Sequence, residues 1–356
     1  MAQPTGRRPL LAALALPALL PRRAAAQPAA PYPSRPIRIV VSWPPGGGAD
    51  IPMRLAAPAM QQVLGQPIVL ENRAGASGSV GAGVVAQAAP DGYTALADTA
   101  AGAVNHLLIP GLPYDFATAL APVSQMVKSP LICVVRAEHP AKDLPALLAR
   151  LKAAPGQIPY ASSGTGTATH LAPALLLRRA GASANHVSYR GGAASIAGIL
   201  AGDAEFVFST LPQAAPLVME GRLRGLAVST IDRIGSLPQV PTVAEQGFPG
   251  FDVYDWLGFY VPMGTPAPVI ARLQEAAAAG MRDPTAVKRL GEIGMIPVGN
   301  STAEFQAFFT DQRERMSALI KAEESGWSSR PGPARPQAGA PAFAAPGRAP
   351  SRWAMA

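Results

Sequence analysis

The stretch Val40-Val41-Ser42-Trp43-Pro44-Pro45-Gly46-Gly47-Gly48-Ala49-Asp50 limits what this chain can fold into more than any other. Ile37 to Val41 is an apolar, mostly β-branched run that reads as a buried strand. Pro44 and Pro45 stop it, because proline has no N–H to donate to a sheet ladder. Gly46, Gly47 and Gly48 then supply backbone without Cβ atoms, which another group can approach closely. Asp50 reads as the N-cap of a helix with Pro52 in its first turn. Strand, glycine loop and helix start together aim free N–H groups and the positive end of a helix dipole at one spot. That is the layout of an anion site. A plain tight connection between a strand and a helix is the alternative reading.

The same layout returns later in the chain. Residues 158–162 read as a strand that runs into Ser163-Gly164-Thr165-Gly166-Thr167, with a helix to follow. Between and after the two loops, apolar runs at 68–70, 93–97, 131–135, 187–189, 206–208, 226–229 and 256–261 read as strands. Helical stretches read at 78–89, 193–200, 268–281 and 302–324, beside Asp50–Leu64 and Leu144–Ala153. Gly65 is placed to end the first of these helices, and Pro58 is expected to kink or shorten it. Alternation of this kind predicts an α/β fold with parallel sheets covered by helices. Two similar loops, one in each half, predict two α/β lobes facing across a cleft.

The chain has 356 residues, enough for two domains, with 49% hydrophobic and 15% charged residues. Its net charge of +8 invites a nucleic-acid reading. The location of the charge removes it. Arg7, Arg8, Arg22, Arg23, Arg330, Arg335, Arg348 and Arg352 lie in acid-free termini and account for the whole excess. The stretch between them is formally neutral, so no nucleic-acid partner is expected. Residues 1–26 read as an export signal. Arg7-Arg8 precede a short apolar run, and Ala24-Ala25-Ala26 offers a cleavage site, which makes the protein periplasmic. Residues 327–356 are rich in Pro, Ala, Gly and Arg without periodicity, and are expected to form a disordered tail. Cys133 lies in an apolar strand, where it reads as a small hydrophobe.

Catalytic patterns are missing. There is no G-x-S-x-G elbow, and the four histidines lack metal-ligand spacing, so neither catalysis nor a metal nor a cofactor is expected. A hydrolase using Ser162 or Ser163 would need a base and an orienting acid that no recognisable spacing provides. Gly81-Ala82-Gly83-Val84-Val85-Ala86 fits a dinucleotide pattern but sits inside a helical stretch instead of the turn after a strand.

Seven stretches in order carry a family resemblance. They are Tyr32-Pro33-Ser34-Arg35-Pro36-Ile37-Arg38, Pro44-Pro45-Gly46-Gly47-Gly48-Ala49-Asp50, Glu71-Asn72-Arg73-Ala74-Gly75, Ala89-Pro90-Asp91-Gly92-Tyr93-Thr94, Tyr160-Ala161-Ser162-Ser163-Gly164-Thr165-Gly166, Leu237-Pro238-Gln239-Val240-Pro241-Thr242-Val243-Ala244-Glu245 and Pro262-Met263-Gly264-Thr265-Pro266. The sequence resembles the Bug-type periplasmic solute receptors, the substrate-binding components of tripartite tricarboxylate transporters. The resemblance implies a type II periplasmic-binding fold of two α/β lobes around a ligand cleft, joined by two hinge crossings. Residues 32–126 and 252–326 would form the first lobe and 127–251 the second, with crossings near 124–129 and 252–256. It implies a small carboxylate ligand and a monomeric receptor that serves membrane permease subunits or, alternatively, a sensor.

The ligand positions implied are Trp43, Pro45, Gly46, Gly47, Gly48, Ala49, Asp50, Thr99, Ser162, Ser163, Gly164, Thr165, Gly166, Thr167 and Ser209. Asp50 would serve as a cap, since its charge repels a carboxylate. Three departures from the family pattern bear on the ligand. Ser209-Thr210 stands where the family usually has Asp and a small polar residue, which disfavours amino acids. Ala100 and Ala101 remove a polar handle, and Trp43 replaces a smaller aromatic, as a cleft wall or as packing. Neither loop holds a Lys or Arg, so backbone N–H groups and hydroxyls would have to meet the negative charge.

Overall fold

The computed structural model describes residues 32–328, so the expected signal segment 1–26 lies outside the described residues, as does the expected tail 327–356 except for Trp327 and Ser328, which continue the last helix instead. The chain begins with β1 (Ile37–Val41), α1 (Asp50–Leu64), β2 (Ile68–Asn72), α2 (Ser79–Ala86), β3 (Thr94–Thr99) and two single turns, α3 (Asn105–Leu108) and α4 (Phe116–Ala119). Helix α1 runs unbroken through Pro58, and Gly65 ends it in the left-handed conformation at φ 66°. Strand β4 (Leu120–Arg136) then runs for 17 residues. It leads into α5 (Leu144–Ala153), β5 (Pro159–Ser162), α6 (Ala168–Ala180), β6 (Asn185–Ser188), α7 (Gly192–Ala201), β7 (Phe206–Thr210), α8 (Leu211–Met219) and β8 (Leu223–Val228). The chain returns through β9 (Tyr254–Pro262) and closes with α9 (Ala267–Arg282), α10 (Pro284–Glu292), β10 (Ile296–Pro297) and α11 (Thr302–Ser328).

The strands follow the order β2-β1-β3-β9-β4-β7-β5-β6, with β8 and β10 also paired to β4. Only the outer pairs are parallel: β1 with β2 and β3, and β5 with β6 and β7. The expected parallel sheets are therefore mixed sheets. Strands β4 and β9 run antiparallel to each other, β9 also to β3, and β4 also to β7. β3 and β4 therefore run in the same direction, and β9 is threaded between them against both. The apolar run at 131–135 is the second half of β4. Its first half pairs with β9 as far as Pro130 opposite Tyr254, and from Leu131 it pairs with β7. Ser229 stitches this changeover. Its Oγ accepts the Leu131 N–H at 3.0 Å and donates to the Val253 carbonyl.

Side-chain alternation with period two builds a core on each face of each half. In the first half, Ile37, Ile39, Val41, Leu257 and Phe259 face α1 and α9. Val40, Leu96, Trp256 and Tyr260 face the other way, onto Phe305 and Phe309 of α11. In the second half, Leu131, Cys133, Val135, Phe206 and Phe208 point to one face, and Ile132, Val134 and Val207 to the other. Cys133 is fully buried, and burial pushes its thiol far up, which fits the hydrophobe reading. Gly81 of the dinucleotide-like stretch is a packing glycine: a Cβ there would meet the Arg73 carbonyl and the Ser42 Cα, both at 2.9 Å.

Phe305 is the largest anchor between α11 and the first sheet. It is 0% exposed and packs against Trp256 at 5.9 Å and Tyr260 at 5.4 Å between ring centroids. Phe305→Ala is expected to lower the unfolding free energy by about 3–5 kcal/mol, as read from urea unfolding.

Candidate functional site

A cavity of about 140 Å³ lies where the two halves meet. Four helices begin on its wall. Their N-cap residues are Ala49 for α1, Thr167 for α6, Gly191 for α7 and Thr210 for α8, and all four line the cavity. None of the four has a side-chain cap bond. Among the helices that begin elsewhere, Asp115 caps α4, Asp143 caps α5 and Asp283 caps α10, whereas α2, α3 and α9 also start without a side-chain cap. What sets the four apart is that they share one wall, since the first N–H groups of a helix have no partner within it. At the cavity the N–H groups of Gly48, Ala49, Gly192 and Ala193 have no partner among the described residues. Four dipole ends and these donors make one side of the pocket electropositive.

The first loop is held from behind by Asp50. Its carboxylate accepts the Gly46 N–H at 2.8 Å, Arg54 Nε at 2.7 Å and Asn72 Nδ2 at 2.9 Å. Burial by itself would raise this carboxyl, but the bonds from Arg54, Gly46 and Asn72 outweigh it and hold it below the usual carboxylate range. Asp50 is thus neither the N-cap, which is Ala49, nor part of the cavity wall. The helix starts one residue earlier than a cap at position 50 requires, so the side chain reaches back to the glycine loop instead. Trp43 lines the cavity and is also tethered, because its Nε1 donates to Asp98 Oδ1 at 3.1 Å. The same oxygen accepts the Ser42 hydroxyl and the Thr99 N–H. Burial raises the Asp98 carboxyl to about 6 against the pull of those three bonds.

Of the residues expected at the ligand, Trp43, Pro45, Gly46, Gly47, Gly48, Ala49, Thr99, Ser163 and Thr167 line this cavity. Gly164 and Thr165 line a neighbouring cleft of about 790 Å³. Ser162, Gly166 and Ser209 line neither, and with Asp50 they form the supporting layer. Ser162 is 0% exposed and its Oγ lies 2.6 Å from His186 Nε2. Such a pair suggests a nucleophile and base, but the hydroxyl faces the interior and has no path to a substrate. Glycine at 164 and 166 answers a different need than ligand approach. Both residues have positive φ, and a Cβ there would strike Ser77 Oγ at 2.8 Å and Leu108 Cδ1 at 2.9 Å, across the junction of the halves. Ser209 lies off the cavity wall, and the adjacent Thr210 lines it with its hydroxyl oxygen buried.

Sequence reading missed three contributors. The loop Arg190-Gly191-Gly192-Ala193 joins β6 to α7 and supplies the one cation on the wall among the described residues. It follows the same strand, glycine and helix layout as the two loops that were recognised, so its signal was present. Gln213 comes from the first turn of α8. Asp255 comes from β9, where an acid in a buried, aromatic strand is the only cue.

Behind the second loop His170 and His186 stack at 4.0 Å between ring centroids, with Tyr160 5.0 Å from His186. His170 Nδ1 accepts the Gly166 N–H at 3.2 Å, so the neutral ring holds the loop. Burial, and for His170 also the neighbouring His186, lowers these rings to about 3 and about 4.

Residues 53–324 match the family described as the tripartite tricarboxylate transporter family receptor. Three solved structures are similar over nearly their whole length. The periplasmic binding protein BugD is 30% identical with a TM-score of 0.75, covering 82% of this chain and 98% of BugD. An R. palustris protein solved with adipate is 30% identical with a TM-score of 0.76, covering 82% of this chain and 97% of that protein. MatC from Rhodopseudomonas palustris, with bound malate, is 28% identical with a TM-score of 0.75, covering 81% of this chain and 100% of MatC.

The histidine stack makes stability depend on pH in a defined direction. Both rings are neutral in the folded chain down to about 4, whereas the unfolded chain protonates them near 6.5. Their contribution is fully present above 6.5 and is lost as pH falls from there toward 4. The melting temperature of the wild type is expected to drop relative to that of His186→Gln as pH falls over that range, as measured by thermal denaturation of both across the pH series.

Proposed function

The chain belongs to the tripartite tricarboxylate transporter receptor family, and from that premise we propose that it captures a small organic acid in the periplasm and passes it to the permease subunits of such a transporter. The family and its structural neighbours are binding receptors, not enzymes. The observation that carries the reading is the set of four helix starts at one cavity with no side-chain caps. Uncapped donors call for an acceptor from outside the protein, and a carboxylate supplies two oxygens with several lone pairs. Two relatives were solved with acids of this kind, adipate and malate.

The ligand's carboxylate sits between the loop 45–49 and the residues Ser163 and Thr167, with Arg190 at the side. Arg190 adds the cation that the two recognised loops lack. Its exposed guanidinium has no acidic partner among the described residues, so it is free to pair with an acid. Entry requires the halves to part, because Gly164 abuts Ser77 and Gly166 abuts Leu108 across the junction. The lobes would rotate about β4 near Pro130 and about the return segment near Val253, where little internal packing has to change.

Binding is testable by thermal shift across a panel of carboxylates. At a hundredfold excess over Kd, a ligand that binds only the folded chain raises stability by about 2.7 kcal/mol. Gly47→Val is expected to weaken the best acid at least about tenfold by calorimetry, because its methyl groups fill the backbone approach. The Cβ itself would lie 3.1 Å from the Pro44 carbonyl, a contact that a small loop adjustment relieves, so the melting temperature without ligand should change little. Unaltered affinity in this variant would place the acid elsewhere.

A further inference from the structure

The cavity wall carries polar residues from the sheet as well as from the loops. Asp255 of β9 stands beside Ser129 of β4, and Thr210 of β7 stands on the other side of β4, opposite Leu131. Asp255 and Thr210 both line the cavity. The hydroxyls of Thr210 and Ser129 are buried with no hydrogen-bond partner among the described residues. Asp255 Oδ1 accepts the Trp256 N–H at 3.0 Å, and the Ala100 N–H also donates to this carboxyl. No cation pairs with Asp255 among the described residues.

The neighbours of Asp255 can be taken element by element. From the end of β3 it faces Asp98, whose negative charge acts on it, and Thr99. From β4 comes Ser129, and from β7 and α8 come Thr210 and Gln213. Lys128 is one residue away on β4, but its Nζ lies 5.6 Å from the Phe308 ring on the opposite face of the sheet. The loop before α7 brings Arg190, which is exposed at the mouth. Around Asp255, then, stand one acid, several neutral groups and one solvated cation.

An acid drawn in by the four helix starts meets this carboxyl at close range. Both charges would lie on one cavity wall, where the burial of the Asp255 carboxyl weakens screening by solvent. Burial, with Asp98 adding to it, already raises the Asp255 carboxyl to about 7. An incoming anion raises it further, since a nearby like charge disfavours the ionised form. Asp98 and Asp255 titrate as a pair. Asp98 is held by three donors and lies outside the cavity wall, so the proton that matters to a ligand resides on Asp255.

On the organic-acid reading above, we propose that Asp255 meets the bound acid as a neutral carboxyl, donating its hydrogen to the far polar group of the ligand, so that capture of one acid takes up one proton from solution. No covalent bond changes. The proton passes from water to Asp255 and stays on it while the acid is bound. The subsite therefore takes a hydrogen-bond acceptor, such as a second carboxylate, a keto oxygen or a hydroxyl oxygen.

The test is calorimetry with adipate, malate and other small carboxylates in paired buffers of different ionisation heat, from about pH 6 to about pH 8.5. The wild type is expected to take up close to one proton per acid above neutrality. Its affinity should fall toward tenfold per pH unit at the alkaline end. Asp255→Asn keeps an oxygen for the Trp256 and Ala100 N–H groups. It should bind with a flat profile and exceed the wild type at about pH 8.5. The buffer comparison needs only the wild type, so the proposal stays open to refutation even if the variant folds poorly. Binding of an acid without buffer-dependent heat, or an equal pH slope in Asp255→Asn, overturns the proton coupling and leaves the organic-acid reading standing. Tighter binding of an amino acid than of the matching plain acid, lost in Asp255→Asn, also overturns it by making Asp255 an ammonium site. If no carboxylate binds at any pH, the organic-acid reading falls and the coupling falls with it.

Discussion

The first turn of a helix carries N–H groups that no carbonyl inside the helix can reach, and most of this structure is arranged around where those groups find partners. Helices α5 and α10 use a neighbouring acid, Asp143 and Asp283. Four that start at the junction of the halves use none. A missing cap costs about 0.5–2 kcal/mol at each helix. Concentrating that cost at one cavity leaves a cluster of donors that a small anion can satisfy all at once. The glycines of the first loop, the threonines of the second and the Gly191-Gly192 pair keep bulky side chains out of the space between the helix starts and a guest.

The acids near the cavity divide by what surrounds them. Asp50 is surrounded by donors and remains charged, and its task is to fasten Gly46 and, through Arg54 and Asn72, the start of α1. Asp98 fastens Ser42, Trp43 and Thr99, so two parts of the wall share one anchor. Asp255 has two N–H donors and no cation, and it faces the cavity itself. Residue type alone does not separate these roles. The number of donors each oxygen meets does.

Much of this was legible in the sequence where the determinants are local. The bounds of β1, α1 and α5 follow from an apolar run, a glycine stop and an Asp start, all read within a few residues. The two loops were recognisable because prolines and glycines punctuate them. What escaped depends on partners distant in sequence. The full length of β4 was hidden because Pro122 and Pro130 interrupt its pattern, and tolerance of them depends on the bulges and the change of partner along that strand. The site role of Thr210 over Ser209 hinges on which face of β7 looks at the cavity, a one-residue matter of register. Asp255 belongs to the site only because β9 returns beside β4.

That return has a consequence for how the chain assembles. In the first half, β9 lies between β3 and β4, so Thr99 is paired with Leu257 and Pro130 with Tyr254. The first half is therefore a split unit in which β9, flanked by β3 and β4, is made only after the whole second half, while the second half is one uninterrupted stretch that can complete its own sheet beforehand. Joining distant segments carries an entropic penalty that grows with the loop between them. Once the second half has folded, that loop is a compact body whose two ends lie side by side at Leu131 and Val253, both tied to Ser229. The insert thus acts as a template for its host: it delivers β9 to the gap beside β4, and the cavity comes into being only when this strand, with Asp255 on it, slides into place.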